Sequence, residues 1–426
     1  MPKLVLKLLS SVNGVQVVNA CFGYIGSNVF AALVAYRLLA TVWQSAIAAG
    51  LLLSETQGGG LAGQGGSGFF WGGLLAGVAP LVCAQTGGQR ALYIMHTIQA
   101  FLLFVMLVSS VATISSFPCW LCVGGDWTFS GGGDEILARV VQAFFSWPWC
   151  TAVLTDRLFI GSPGRALIGV GGGIILAATY SMCGSFIGIY ARYRAGGAAV
   201  TFVEPIDMAR TMSEAHYHLF LFMSMLSAVG SINAAFCAVA KLGGLEIFGL
   251  LMDPHGRAGG VVSPLAPGDA HVSLANVVAA RVSVLALAAI GLSTLSFEDI
   301  HPGSLEIASP TNIMLIGLGA PIALLALWNR SWRRAPLAFL CSIIVGLIIG
   351  IIDKQRTTCG DSVGHHCARW IRSFTPGWGI GNGSARIELG LTVFGLLISF
   401  LAAMVGFALD QHFRLPDDPQ ACPNQT

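Results

Sequence analysis

Long apolar stretches without a charged residue dominate this chain. Crossing a bilayer core of about 30 Å takes roughly 20 helical residues. Seven uncharged stretches reach or approach that length: 12–36, 91–117, 166–189, 216–240, 311–328, 335–352 and 389–409. An eighth, 273–295, is interrupted only by Arg281, and three shorter runs are weaker candidates: 38–54, 69–84 and 140–155. The pattern predicts a polytopic membrane protein.

Composition excludes the main soluble classes. Hydrophobic residues make up 55% of the chain and charged residues only 10%, whereas a soluble domain carries about 25% charged residues. A net charge of +2 provides no field that would attract a phosphate backbone. We therefore expect the protein to lie in the lipid bilayer and not to bind nucleic acid.

The length of the apolar runs indicates helices. Transmembrane β-strands need only about ten residues and alternate in polarity, and these runs do not alternate. The sequence therefore predicts an all-α, polytopic transmembrane helical bundle with about ten spans, in a range of about eight to eleven. We expect one integral membrane domain over residues 1–426, without a soluble domain.

Basic residues suggest the orientation. Arg330, Arg333 and Arg334 share one short connection, which the positive-inside rule assigns to the cytosolic or matrix side. A short basic tail, 1–11, and a polar C-terminal tail, 410–426, are expected on the same side. The first 54 residues contain no acidic residue, which is typical also of a transit peptide, so an organellar inner membrane and a secretory or plasma membrane both stay open.

The segment 353–387 is expected on the opposite, external side. Cys359 and Cys367 could close a small disulfide there, and Asn382 begins a glycosylation sequon. Five basic residues in the same segment argue against an external position, although long loops obey the charge rule poorly. A zinc site at these cysteines and the adjacent histidines is disfavoured, because the cysteine spacing is not a short chelating turn.

Cys119 and Cys122 form a CxxC motif at the end of an apolar run. A membrane thiol oxidoreductase could use such a pair, with one cysteine made nucleophilic by a lowered pKa. The interpretation we favour is a structural disulfide or two packed thiols. Without a second CxxC pair, no metal site is predicted, and we expect neither a metal nor another cofactor.

Arg281 is the polar residue that most needs an explanation, because a cation inside an apolar run is costly and often functional. It could bind an anionic substrate, pair with an acid of a neighbouring helix or extend its side chain to the membrane surface. His96 and Gln99 lie three residues apart, on one helix face, and form a second polar point. Together these three residues are the candidate substrate site of a transporter, and hydrogen bonding between helices is the alternative for the last two.

Glycine is abundant, with 54 residues, and several glycines are spaced four apart. Small residues at this spacing let membrane helices pack closely. The pairs that we single out as packing surfaces are Gly169 with Gly173, Gly184 with Gly188, and Gly346 with Gly350. Gly317, Gly319 and Pro321 in addition predict a broken helix within 311–328, a feature that also lines transport sites.

The interiors of the predicted spans contain no Asp or Glu, which argues against a cation-coupled carrier. The chain has no GxSxG, HExxH or P-loop motif, so we lean against an enzyme. The leading hypothesis is a non-catalytic structural or assembly component of a larger membrane complex, with partner membrane subunits. The alternatives are a facilitative transporter or channel for a neutral or anionic solute and, third, a thiol-redox membrane enzyme.

Overall fold

The structure is a computed structural model in which every continuous described segment is helical. It describes residues 14–56, 67–115, 214–247, 274–296, 313–327, 335–359 and 383–413, together with isolated residues and groups of two or three between 137 and 179. No strand occurs in these segments. The predicted all-helical class therefore holds for this part of the chain.

Seven α-helices make up most of the described residues. They are α1 Gly14–Thr56, α2 Ser67–Ser115, α3 Glu214–Lys241, α4 Leu274–Ser293, α5 Ile316–Leu327, α6 Pro336–Cys359 and α7 Gly383–Phe413. A π-helix, Leu242–Ile247, continues α3, and a 3₁₀ turn, Thr294–Ser296, continues α4. Apolar sequence favours helix in a membrane because a helix satisfies its own backbone hydrogen bonds.

The chain forms two compact units. Unit 1 contains residues 1–33, 130–151 and 308–426, and unit 2 contains residues 34–129 and 152–307. Within unit 1, α5, α6 and α7 pack against one another. Within unit 2, α2 packs against α3, and α4 packs against both of them and against the π-helix.

The first helix joins two runs that the sequence separates at Arg37. It extends over 43 residues and bends at Gly23, whose φ of 73° lies outside the helical region. From the sequence, one of the two runs could lie along the membrane interface, or both could form one bent element around Arg37; the structure has one helix whose bend lies at Gly23. Glycine has no Cβ, so it adopts a positive φ at little cost, whereas a single arginine leaves the backbone hydrogen bonds of the helix intact.

The second helix likewise joins the runs 69–84 and 91–117, which the sequence predicts as separate elements. It is 49 residues long and contains Pro80. It also continues through residues 87–90, which separate the two runs in the sequence. Membrane helices tolerate proline and glycine because neighbouring groups can satisfy the freed backbone atoms, so these residues did not mark an end.

The helix within 311–328 is broken at a different point from the one predicted. Residues 313 and 314 are helical, Leu315 is a turn residue, and α5 then continues through Gly317, Gly319 and Pro321. At 12 residues, α5 is about 18 Å long, too short to cross a bilayer alone.

Six helical segments within the described residues are long and apolar enough to cross a membrane. They are Phe22–Leu53, Gly68–Thr86, Ser224–Gly244, Leu274–Ser293, Pro336–Asp353 and Leu389–His412. These segments are compatible with a multi-pass integral membrane protein. The estimate of about ten spans for the whole chain stays a prediction.

Candidate functional site

A buried hydrogen bond joins α6 to α5 in unit 1. The hydroxyl of Ser342 donates to the carbonyl of Gly317 over 2.7 Å, and Ser342 is fully buried. In an α-helix this carbonyl would accept from the amide of residue 321, which is Pro321 and has no N–H. Ser342 therefore satisfies the backbone acceptor that the proline frees, which explains how α5 continues through it.

A carboxylate from α7 caps the start of α6. One Asp410 oxygen, Oδ2, accepts hydrogen bonds from the backbone amides of Leu337 at 3.0 Å and Ala338 at 3.2 Å. The residue before the helix is Ala335, whose side chain cannot accept a hydrogen bond, and Pro336 takes the first helical position. Asp410 thus supplies the N-terminal cap from another helix, where a negative charge also complements the helix dipole.

Gly346 and Gly350, one of the predicted glycine pairs, lie against the chain just before α5. A Cβ placed on Gly346 would come within 2.8 Å of the Met314 carbonyl oxygen, and one on Gly350 within 2.8 Å of the Met314 backbone nitrogen. The backbones therefore touch at both glycines. Gly173, by contrast, has nothing within 4 Å of such a Cβ, while Gly169, Gly184 and Gly188 lie outside the described residues.

In unit 2, Gln99 links α2 to α3. It is buried, and its amide nitrogen Nε2 donates to the backbone carbonyl of Leu226. Gly230, one turn further along α3, leaves the room that the Gln99 side chain occupies. A second link joins the same two helices, because the side-chain amide of Asn233 donates to the Met95 sulfur over 3.3 Å.

Arg281 lies on the exposed face of α4. Gln99 is inside the contact between α2 and α3, so the structure does not bring these two predicted ligands together at one point. His96 lies three residues before Gln99 on α2, and its side chain is not among those the structure describes. As substrate ligands, all three residues stay predictions.

Several other predicted sites fall outside the described part of the chain. Cys119, Cys122, Cys367 and Asn382 lie outside the described residues, and Cys359 is placed only as the last backbone position of α6. Among the cysteines whose side chains the structure describes, Cys83 and Cys341 are free thiols. Within the segments that the structure covers, no group of three or more His, Cys, Asp or Glu residues could hold a metal ion.

Arg37 is a candidate functional residue that the sequence analysis missed. It lies at the middle of the candidate span Phe22–Leu53, it is partly buried, and its Nη1 atom is inaccessible to solvent. Because Arg37 was interpreted as the boundary between two runs, it was not recognised as a residue inside one span. The available signal was that apolar sequence continues on both sides without Gly or Pro next to it.

Two acids also lie at the ends of candidate spans, just beyond the limits that hydropathy assigned. Asp353 ends Pro336–Asp353, Asp410 is near the end of Leu389–His412, and both are buried. Because they occupy span ends, neither is the mid-membrane carboxylate typical of cation-coupled carriers.

Part of α2 carries an exposed apolar stripe with coiled-coil spacing. The intervals alternate between four and three residues, which places the side chains on one narrow helix face. We call these residues the α2 stripe: Ile94, Ile98, Phe101, Val105 and Val108, each between 40% and 66% exposed. A second helix could pack its own apolar residues between them.

The chain matches none of the protein families and none of the curated protein sequences with which it was compared. In the described helix contacts, serine, glutamine and aspartate side chains bond to the backbone of a neighbouring helix. Chemically, this arrangement holds helices in register.

Proposed function

We propose that this chain is a non-catalytic structural component of a larger membrane complex, in which partner subunits pack against its exposed helices. The observation that carries the proposal is the length of α2 together with its exposed stripe. At 49 residues the helix is about 74 Å long. Even at a tilt of about 40°, crossing the hydrocarbon layer uses only about 39 Å of helix.

Lipid tails therefore do not cover both exposed apolar parts of α2. Trp71, Leu75, Val78 and Val82 are exposed in its first part, and the α2 stripe is exposed in its last part. Large apolar side chains outside the hydrocarbon layer favour contact with another protein. The heptad spacing of the stripe fits a partner helix in particular.

The roles of the polar groups support the same proposal. The amide of Gln99, the hydroxyl of Ser342 and the carboxylate of Asp410 each bond to the backbone of a neighbouring helix. Such bonds are one of the interactions by which membrane helices associate. A scaffold needs these contacts, whereas a transport pathway needs polar groups that face a passing solute.

Mass measurement of the full chain purified in mild detergent tests the proposal. We expect stable companion subunits, and a lone monomer or a simple homo-oligomer would contradict it. A double variant of the stripe, Ile98→Ala with Phe101→Ala, should release a companion. The matched control is Val282→Ala with Leu285→Ala, which trims two exposed residues of α4 and should leave the complex intact.

A facilitative pathway for an anionic solute is the second candidate, and Arg37 favours it. A partly buried arginine at the middle of a span is costly and is a functional candidate for that reason. Flux of a small anion into vesicles that contain the purified chain tests this role. Loss of flux in Arg37→Gln, or in Arg281→Ala, with normal insertion would support transport over the scaffold.

A further inference from the structure

The exposed face of α4 carries one cation among apolar side chains. The exposed neighbours of Arg281 on this face are Leu274, Val277, Val278, Val282 and Leu285. A guanidinium on a lipid-facing surface must reach water or an anion, because its charge is costly in hydrocarbon. How deep Arg281 lies decides which of these it reaches.

Trp71 is the residue by which we set the level of the membrane boundary at one end of unit 2. It is 57% exposed and packs edge-on against Phe70, with ring centroids 5.6 Å apart. Exposed tryptophan is enriched at the level of the lipid headgroups. Contacts of Gly73 with Leu295 and of Gly77 with Leu292 set α2 antiparallel to α4. Trp71 therefore lies level with the end of the 3₁₀ turn that follows α4.

The position of Arg281 follows from this boundary. Its Cα lies about 23 Å along the helix axis from Ser296. With a hydrocarbon layer of about 30 Å, Arg281 is then about 7 Å inside the opposite boundary. Helical side chains lean toward the N-terminus, and for Arg281 that direction is toward the nearer boundary. The guanidinium therefore reaches the headgroups along the surface of α4.

Arg37 lies at a different depth by the same register. Val42 contacts Gly291 and Ala46 contacts Gly73, so α1 runs parallel to α4 within unit 2. Arg37 is then level with Ala286, about 15 Å from the boundary and therefore near the membrane midplane. The two arginines are not equivalent, and only Arg281 is exposed and within reach of headgroups.

We propose that Arg281 binds the headgroup phosphate of an anionic phospholipid. The planar guanidinium donates two parallel hydrogen bonds to phosphate oxygens. In a lipid such as phosphatidylglycerol, no headgroup cation competes for that phosphate, so an anionic lipid is preferred over phosphatidylcholine. The proposal rests on membrane insertion, which it shares with the proposed function, and not on any partner subunit.

Spin-labelled lipids test the proposal with the full chain in phosphatidylcholine vesicles. Electron paramagnetic resonance gives the fraction of labelled phosphatidylglycerol, or of labelled phosphatidylcholine, that the protein restrains. We expect the protein to prefer phosphatidylglycerol, and Arg281→Leu to reduce this preference by about fivefold. Arg281→Lys should keep most of the preference, because the positive charge remains.

Further variants show whether the charge on this face of α4 causes the lipid preference. Val278→Arg in the Arg281→Leu background moves the charge one turn closer to the headgroups and should restore the preference for phosphatidylglycerol. The control is Val282→Leu in the otherwise unchanged chain, which should not alter this preference. An unchanged preference in both Arg281→Leu and Arg281→Gln would overturn the proposal. It would also be overturned if Arg281→Leu left the lipid preference unchanged in vesicles and released a companion protein from the complex purified in detergent. If the chain failed to enter the vesicles, both this proposal and the proposed function would be contradicted.

Discussion

The Ser342 hydroxyl lies 2.7 Å from the Gly317 carbonyl oxygen, 25 residues away in the chain. That oxygen has lost its helical partner to Pro321, so a side chain of α6 completes the backbone of α5. The contact also explains why Gly317 is a glycine, since a Cβ there would lie 2.5 Å from the Ser342 carbonyl oxygen.

The first prediction concerns this bond. Ser342→Ala should lower the free energy of unfolding by about 1–3 kcal/mol, because a buried carbonyl loses its donor. In a Pro321→Ala background, residue 321 regains an amide that can take over the Gly317 carbonyl, and Ser342→Ala should then cost less. A double-mutant cycle of unfolding in detergent measures the coupling, for which we expect at least about 0.5 kcal/mol. Strictly additive effects would contradict the assignment.

The second prediction concerns the cap on α6. Asp410→Ala should destabilise the protein by about 0.5–2 kcal/mol, because two helix N-terminal amides lose their acceptor. Asp410→Asn should cost less, since its amide oxygen still accepts a hydrogen bond. Thermal unfolding followed by circular dichroism checks both, with Leu409→Ala, a change of an exposed neighbour, as the control. If Asp410→Ala melted no earlier than this control, the cap would have no measurable value.

The third prediction compares two glycines that the sequence treats alike. Gly346→Ala should destabilise the protein by about 1–3 kcal/mol, because the methyl group meets the Met314 backbone and forces α6 outward. Gly173→Ala should be neutral, or stabilising by up to about 1 kcal/mol, because its surroundings are open and alanine favours helix. Equal effects in thermal unfolding would show that close packing at Gly346 was misassigned.

The fourth prediction separates two roles of Gln99. If Gln99 links the helices through the Leu226 carbonyl, Gln99→Leu should lower the free energy of unfolding by about 0.6–2 kcal/mol. This is the usual value of a hydrogen bond between membrane helices. The control Ile98→Leu alters an exposed neighbour and should change little. A solute ligand would behave in the opposite way: vesicle flux would fall in Gln99→Leu while the unfolding free energy stayed unchanged.

Part of this structure could be predicted from the sequence. The helical class follows from the length of the apolar runs. The spacing of Gly346 and Gly350 predicts a packing surface, and the Met314 backbone lies against both glycines. The ends of the helices could not be predicted in the same way. Arg37 and the glycines after Thr86 resemble loop residues locally, yet both helices continue through them because the apolar sequence resumes on the far side.

For the candidate sites, even less could be predicted from the sequence than for the helices. Apolar helices suited to a membrane could be predicted from the sequence alone, because the lengths of the runs and the scarcity of charge are properties of adjacent residues. The contacts of the folded chain were needed to show that Asp410 caps a helix, that Ser342 compensates for a proline and that Arg281 faces outward. Each of these depends on which residues from distant parts of the chain come into contact, and local sequence does not contain that information.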